Sequence, residues 1–345
     1  MASSNDLTDK MKELVVEEKK NGKNWNDLPF EMKEMVVKEM NLETRTRLKT
    51  CSKSDKYLVE SIPMMFEDLC VGVCEDKRTK EMIVNVRFLK KLQDPDVHFK
   101  LMSKENSVRI LNIKKGVEKE IHCSSNEDAK TMVRQMLFNT IFGGYLRFDF
   151  ICAFINYPKF AENYEFKMHT KKIDITAAAT EAVGWLKNVA PGIKSVWIST
   201  WDGKFENIDN IPAVTNAEEL VVCNSNDIKD EQLLTFNCTK LHINAKSNIT
   251  GKGMNQLIKK VIANDYPKGT NLKICGDPDV MLQTWEEIID GLDIEMIIWD
   301  DYADENGEVK LGRRDGRIKI SHDKYLGLYL NAVGFNPHHL HIYIY

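Results

Sequence analysis

From residue 171 onward the chain keeps returning to one figure: an apolar residue, any residue, then a second apolar residue, followed by a loop and a helical stretch. The series runs Ile173 and Ile175, Val196 and Ile198, Leu220 and Val222, Leu241 and Ile243, Leu272 and Ile274, and Met296 and Ile298. Its successive intervals are 23, 24, 21, 31 and 24 residues. A period of two over so short a span marks a strand with one buried face, and self-similarity at a near-fixed spacing constrains a fold more tightly than local propensity does. Helical segments at Ala177 to Val189, Asp227 to Phe236, Thr250 to Ala263 and Pro278 to Ile289 separate the strands. Strands joined through helices run parallel, with the helices laid over one face. The residue inside each apolar pair then points to the opposite face, which makes Asp174, Trp197, Val221, His242 and Lys273 the candidate surface for a protein substrate. Trp197 is the strongest candidate anchor there, because a tryptophan held on a rigid strand suits a binding hot spot.

The spacing falls in the roughly 20 to 29 residue range of leucine-rich repeats. The region is similar to that type, with the repeat-type asparagine in place only at Asn244. An ordinary α/β domain with parallel strands gives the same alternation. The expected fold class is therefore α+β to α/β: a small N-terminal helical unit, an antiparallel strand region, then strand–helix repeats of leucine-rich-repeat-like type. The corresponding segments are 1–24 (an amphipathic helix over residues 6–22), 25–62, 63–144 and 145–345.

Ahead of the repeats, residues 81–122 alternate as EMIVNVRF, VHFKLM, SVRILNI and VEKEIHC, which predicts antiparallel strands with a tight turn at Lys115-Gly116. Residues 126–142 return to helical spacing and stop at Gly143-Gly144. The tail predicts a hairpin in GEVKLGRRDGRIKI, turning at Asp315-Gly316, and a last strand HLHIYIY.

Composition removes several function classes. The 48 basic and 52 acidic residues leave a net charge of -4, so no global basic field favours nucleic acid or an anionic membrane surface. No apolar run reaches the ~18 residues of a membrane span, and no signal peptide opens the chain. The eight cysteines contain no CxxC pair and read as reduced thiols of a cytoplasmic or nuclear protein.

The chemical motifs read structurally. Gly251-Lys252-Gly253 has Gln256 where a dinucleotide fingerprint needs its third glycine, and reads as a glycine-eased helix start. Asp300 to Glu308 lacks the first and last ligands of a calcium loop. His338, His339 and His341 have no carboxylate or thiolate nearby in sequence. No catalytic set, metal or cofactor is expected.

The stretch WNDLPFEMKEMVVKEM, Trp25 to Met40, carries more apolar residues than one buried helical face uses. Pro29 suits the first helical position and holds Leu28 extended, with Glu31 placed to reach back to the cap. Met32, Val36 and Met40 form one line along the helix, and two more short helices break near Asn41 and Ser52. Fewer than ~40 residues seldom sustain a core alone, so the surplus needs covering. Leu28-Pro29, Glu31, Met32, Val36, then Leu42, Arg47-Leu48 and Cys51-Ser52-Lys53 resemble the F-box, in the variant of a large nematode family with an F-box-associated second part. The resemblance departs at Ser54, where many F-boxes carry tryptophan. It implies a non-catalytic substrate receptor of an SCF-type ubiquitin ligase, docking on a Skp-type adaptor, and through it a cullin, with Leu28, Pro29, Met32, Val36, Leu42, Leu48 and Cys51. A protein-interaction module outside ubiquitination is the alternative.

Overall fold

The computed structural model describes residues 24–89, 97–113, 115–142, 145–161, 164–202, 208–224, 228–244, 248–275, 285–303, 309–331 and 339–345. The predicted helix over residues 6–22, the stop at Gly143-Gly144 and His338 lie outside the described residues. The chain divides into two compact units, Met1–Met64 and Met65–Tyr345.

The first unit has a 3₁₀ turn, Trp25–Asp27, and three short helices, α1 (Phe30–Glu39), α2 (Leu42–Lys49) and α3 (Lys53–Ser61). Each start has a local cause. Asn41 Oδ1 accepts the Thr44 amide at 2.9 Å, and Ser52 Oγ accepts that of Asp55 at 3.0 Å, as N-caps do. Pro29 is the residue before α1 rather than its first residue, with φ −54° and ψ 152°, and no side chain caps that helix, so Glu31 forms no capping box. Val37, Leu58, Val59 and Ile62 form the small core. Buried among them, the Arg45 guanidinium donates to the Ile62 carbonyl at 2.7 Å and to that of Lys38 at 3.4 Å. Those carbonyls belong to the C-terminal ends of α3 and α1, where orphan acceptors and the helix dipoles both favour a cation. One arginine thus ties all three helices.

The second unit is built on a sheet of fifteen strands in the order β12-β13-β14-β15-β11-β10-β9-β8-β7-β6-β1-β2-β3-β4-β5. Its first five strands are β1 (Met64–Glu75), β2 (Met82–Leu89), β3 (Val97–Lys104), β4 (Ser107–Asn112) and β5 (Val117–His122). They pair antiparallel in chain order. Helix α4 (Asn126–Ile141) packs on β3 and β4. Six strands then pair parallel in chain order: β6 (Leu146–Asn156), β7 (Thr170–Ala177), β8 (Ser195–Thr200), β9 (Glu219–Cys223), β10 (Lys240–Asn244) and β11 (Asn271–Cys275). Their connections hold α5 (Ala179–Leu186), α6 (Pro212–Thr215), α7 (Asp230–Leu233) and α8 (Gly251–Ala263). Parallel neighbours in chain order, joined by right-handed crossovers, put every connecting helix on one face. That face carries Ile173, Ile175, Val196, Ile198, Leu220, Val222, Leu241, Ile243, Leu272 and Ile274, all at most 3% exposed.

The expected fold class is corrected here. The strands do not form an array of leucine-rich-repeat-like units; they are the middle of one mixed sheet, extended by antiparallel strands on both sides. After α9 (Trp285–Ile289), β12 (Glu295–Ala303), β13 (Val309–Ser321), β14 (Lys324–Asn331) and β15 (His339–Ile344) fold back, and β15 pairs antiparallel with β11. It takes the edge that a further parallel strand would have extended. The sixth pair, Met296 and Ile298, consequently sits in an outermost strand antiparallel to β13, with Met296 only half-buried. The Asp315-Gly316 turn signal is overridden as well. β13 runs straight through it, and Gly316 serves close packing, since a Cβ there would stand 2.6 Å from Ile294 Cδ1. The acidic stretch starts inside β12, and its residues 304–308 lie outside the described residues.

Aromatic rings join the helices above the sheet. Phe138 stacks on Phe166 at 4.5 Å and on Tyr164 at 4.7 Å, and Phe142 meets the buried Trp185 edge-on at 5.6 Å. Helix α8 starts against a carboxylate of the preceding connection. Asp230 accepts the Thr250 amide at 2.8 Å and its hydroxyl at 2.6 Å, and Thr250 Oγ1 accepts the Gly253 amide at 3.2 Å. A Cβ on Gly253 would lie 2.1 Å from Asp230 Oδ1. Gly253→Ala is therefore expected to displace Asp230 and destabilise the second unit by about 1–3 kcal/mol. Thermal unfolding checks this: an unchanged melting temperature would show that the glycine is dispensable.

Candidate functional site

In β7 to β11 the residues between the buried pairs form one registered row. Asp174 lies opposite Trp197, Trp197 opposite Val221, Val221 opposite His242, and His242 opposite Lys273. None of the five is buried. The row continues in both directions, to Cys152 on β6 and, beyond Lys273, to His341 on β15 and Tyr329 on β14. Sequence reasoning missed these three because no local pattern says which distant strand will pair with β6 or β11.

Trp197 is 37% exposed. The Lys172 ammonium sits over its ring at 4.1 Å and over Phe150 at 5.5 Å, a cation–π arrangement that fixes the ring without covering it. Trp201 meets Phe154 at 5.8 Å, and each is about half exposed. Below Trp197, Ser195 Oγ donates to Glu219. Burial pushes the Glu219 carboxyl up, but hydrogen bonds from Ser195 and the Trp197 indole, with the charges of Lys172 and Lys240, outweigh it and leave the group below its ordinary range. The Trp197 ring is thus held from two sides.

Next to Phe154 the same face opens into a cavity of about 300 Å³, lined by Cys70, Gly72, Asn85, Arg87, His98 and Cys152 among others. Its two thiols are both shifted toward the protonated form. Burial pushes Cys152 up to about 11, with Asp174 adding to the rise, and burial and Asp68 raise Cys70. Among the described residues no group of three His, Cys, Asp or Glu is placed to hold a metal ion. His341 Nε2 lies 2.8 Å from Asn271 Oδ1, and His339 faces the Tyr329 ring at 6.1 Å. The Gly251-Lys252-Gly253 helix start is filled by Asp230, a negative group in the position that a phosphate would occupy. The face presents aromatic rings and polar side chains on hydrogen-bonded strands.

The first unit presents a different surface. Leu28 is half-buried with extended backbone ahead of Pro29, which is exposed; Met32 and Val36 are half-buried on α1. Leu42 opens α2, Leu48 lies in its last turn, and Cys51 is exposed between α2 and α3. Among the described residues of this unit, large apolar side chains outside the expected set are well exposed: Phe30 at 51%, Met35 at 48% and Tyr57 at 71%. The helical wheel gave the signal for Phe30 and Met35, which flank the Met32–Val36 line. Trp25 is anchored through its indole N–H, which donates to the buried Asp55 at 2.7 Å.

Residues 211–274 match the family model described as F-box associated. The match runs from the start of α6 into β11 and contains Val221, His242 and Lys273. No curated protein and no solved structure matches the chain.

Thiol labelling tests the electrostatics of the row. At about pH 8 roughly one thiol in a thousand is ionised when its pKa is about 11. Exposed Cys51 is expected to alkylate well before Cys152, and Asp174→Asn to bring Cys152 forward modestly, burial being the larger cause. Site-resolved mass spectrometry reads both; equal labelling of the two in the unaltered protein would refute the assignment.

Proposed function

We propose that this chain is the substrate-recognition subunit of an SCF-type, cullin-RING ubiquitin ligase. Residues 25–62 dock on a Skp-type adaptor, and the helix-free face of the sheet receives a protein substrate. The observation that carries the reading is the F-box-associated match over residues 211–274, which suggests a substrate-binding part of an F-box protein. It is supported by the apolar side chains that the short helices leave exposed among the described residues, since exposed apolar patches mark interaction sites.

In this reading the chain performs no chemistry of its own and works in the cytoplasm or nucleus. It raises the local concentration of substrate lysines around a ligase-borne enzyme, as linked binding sites do. Leu28 and Pro29 provide the lead contact, Met32 and Val36 extend it along α1, and Leu42, Leu48 and Cys51 continue it. Phe30, Met35 and Tyr57 join them, because large exposed apolar side chains carry most of the energy of such contacts.

The test is direct capture of the full chain by a purified Skp-type adaptor. Leu28→Ala combined with Pro29→Ala is expected to weaken capture by about 30-fold, the equivalent of about 2 kcal/mol, without changing the melting temperature of the second unit. Absence of capture, or capture indifferent to the double substitution, would sink the proposal.

A further inference from the structure

We infer that the cavity beside Phe154 receives an aromatic side chain of the protein substrate, in the room that Gly72 leaves open. The inference deepens the reading of that face as the substrate-receiving surface and rests on it.

Four neighbouring strands, β6, β1, β2 and β3, build the cavity. Cys70 lies opposite Arg87, Gly72 opposite Asn85, and Arg87 opposite His98. Cys152 and Phe154 stand on β6. Val71, Val73, Val84 and Val86 are buried, so strand alternation turns the residues between them away from the core and toward the cavity. Cys152 also belongs to the registered row through Asp174 and Trp197, which makes the cavity continuous with the Trp197 surface.

Gly72 is the residue that makes the space. Inside a strand a glycine packs nothing and weakens the pairing, and it marks a bulge, a bend or a place where another group comes close. At other glycines of the chain the internal reason is visible. A Cβ would come within 3.0 Å of a side chain at Gly253, Gly316 and Gly327. At Gly72 a Cβ would meet only Asn85 Cβ, at 4.0 Å, and the backbone is not left-handed. No bulge interrupts the strand there, because Val71, Gly72 and Val73 lie in unbroken register opposite Val86, Asn85 and Val84. Among the described residues, then, no contact or conformation requires the missing side chain, and its absence serves a group that arrives from outside.

The walls select a neutral ring. The volume of about 300 Å³ is ample, since roughly 150 Å³ suffices for benzene. Charges of both signs surround it: Asp68 and Asp174 act on its thiols, Arg87 acts on Cys70, and Lys172 acts on Asp174. Neither sign prevails, which disfavours a charged occupant. The Phe154 and Trp201 rings, 5.8 Å apart at its edge, offer offset or edge-to-face contact to a third ring. The protonated thiols of Cys70 and Cys152 are soft sulfur surfaces of the kind that pack well against ring edges. The guanidinium of Arg87 can stack through its face while its edge is hydrogen-bonded. A branched aliphatic side chain would fill the same volume but gain from none of these three.

The probe is the tripeptide amide acetyl-Ala-fluorotryptophan-Ala, titrated with the full chain and followed by fluorine NMR. Its resonance is expected to broaden with a dissociation constant on the order of 1 mM, the scale of a single aromatic side chain. Gly72→Leu should fill the cavity and weaken binding at least about tenfold. The melting temperature should hold, because the added Cβ meets no crowding. Phe154→Ala, at a half-exposed ring, is the second variant should Gly72→Leu fail to fold, and is expected to weaken binding about three- to tenfold. Four results would overturn the inference. They are the absence of broadening, binding undiminished in a folded Gly72→Leu or in Phe154→Ala, displacement by the matching leucine tripeptide as strong as by the tryptophan one, and binding of free fluoroindole but not of the tripeptide. Adaptor capture is scored separately. Probe failure with capture intact rejects the aromatic site alone, and the reverse pattern rejects the ligase reading while the cavity chemistry stands.

Discussion

The second unit depends on burying one face of six consecutive parallel strands. Once β6 to β11 pair in chain order, the handedness of the crossovers sends each connection to the same side. The apolar pairs from Ile173 and Ile175 to Leu272 and Ile274 are buried there together. Full burial of such a side chain is worth roughly 1.5–3 kcal/mol, so a one-residue slip that turned any pair outward would be strongly disfavoured. The described connecting helices leave the other face clear by the same operation. Its rows of side chains are registered across strands because the buried pairs fix the register, and a surface of this kind presents residues from distant parts of the chain at fixed spacing.

Ionisable side chains, buried at Arg45 and Glu181 and less so at Asp230 and Asp202, meet backbone groups that helices would otherwise leave unpaired. Arg45 takes carbonyls at the ends of α1 and α3, Asp230 takes the start of α8, and Asp202 accepts the Ala179 amide that opens α5. Glu181, buried within α5, accepts the amides of Phe160 at 2.9 Å and Ala161 at 2.6 Å. Burial pushes its carboxyl up and those two amides pull against it. The two buried members, Arg45 and Glu181, are each paired with backbone groups, the condition under which a buried polar group is tolerable. A glycine-bearing helix start can therefore look like a phosphate cradle in sequence and be filled from within.

Local order was legible where the period was regular. Alternation located β2 to β5, the apolar pairs located β7 to β11, and Asn41 and Ser52 located the breaks between the short helices. Within the candidate row, Asp174, Trp197, Val221, His242 and Lys273 share one registered line because each is flanked by buried neighbours. What was not legible was long-range pairing. Nothing near Met296 says that its strand runs antiparallel at the edge, and nothing in HLHIYIY says that it pairs with β11 and ends the parallel series. Asp315-Gly316 misled for a related reason: the glycine answers to Ile294 across the fold rather than to its own neighbours in sequence. The leucine-rich-repeat-like expectation failed at that level, because spacing fixes the local unit while distant strands decide how a series begins and ends.

The two units reach their exposed surfaces by opposite routes. The three short helices bury only a handful of apolar side chains around one arginine, and Phe30, Met35 and Tyr57 are exposed among the described residues of that unit. Contact there would be driven mainly by the removal of apolar area from water, and would tolerate changes of shape better than changes of polarity. The sheet face has already spent its apolar residues on the opposite side and offers charge, aromatic rings and register. Binding to such a face depends on matching groups one by one, which makes it selective rather than simply adhesive. In the proposed reading the first surface holds a constant partner and the second chooses among variable ones.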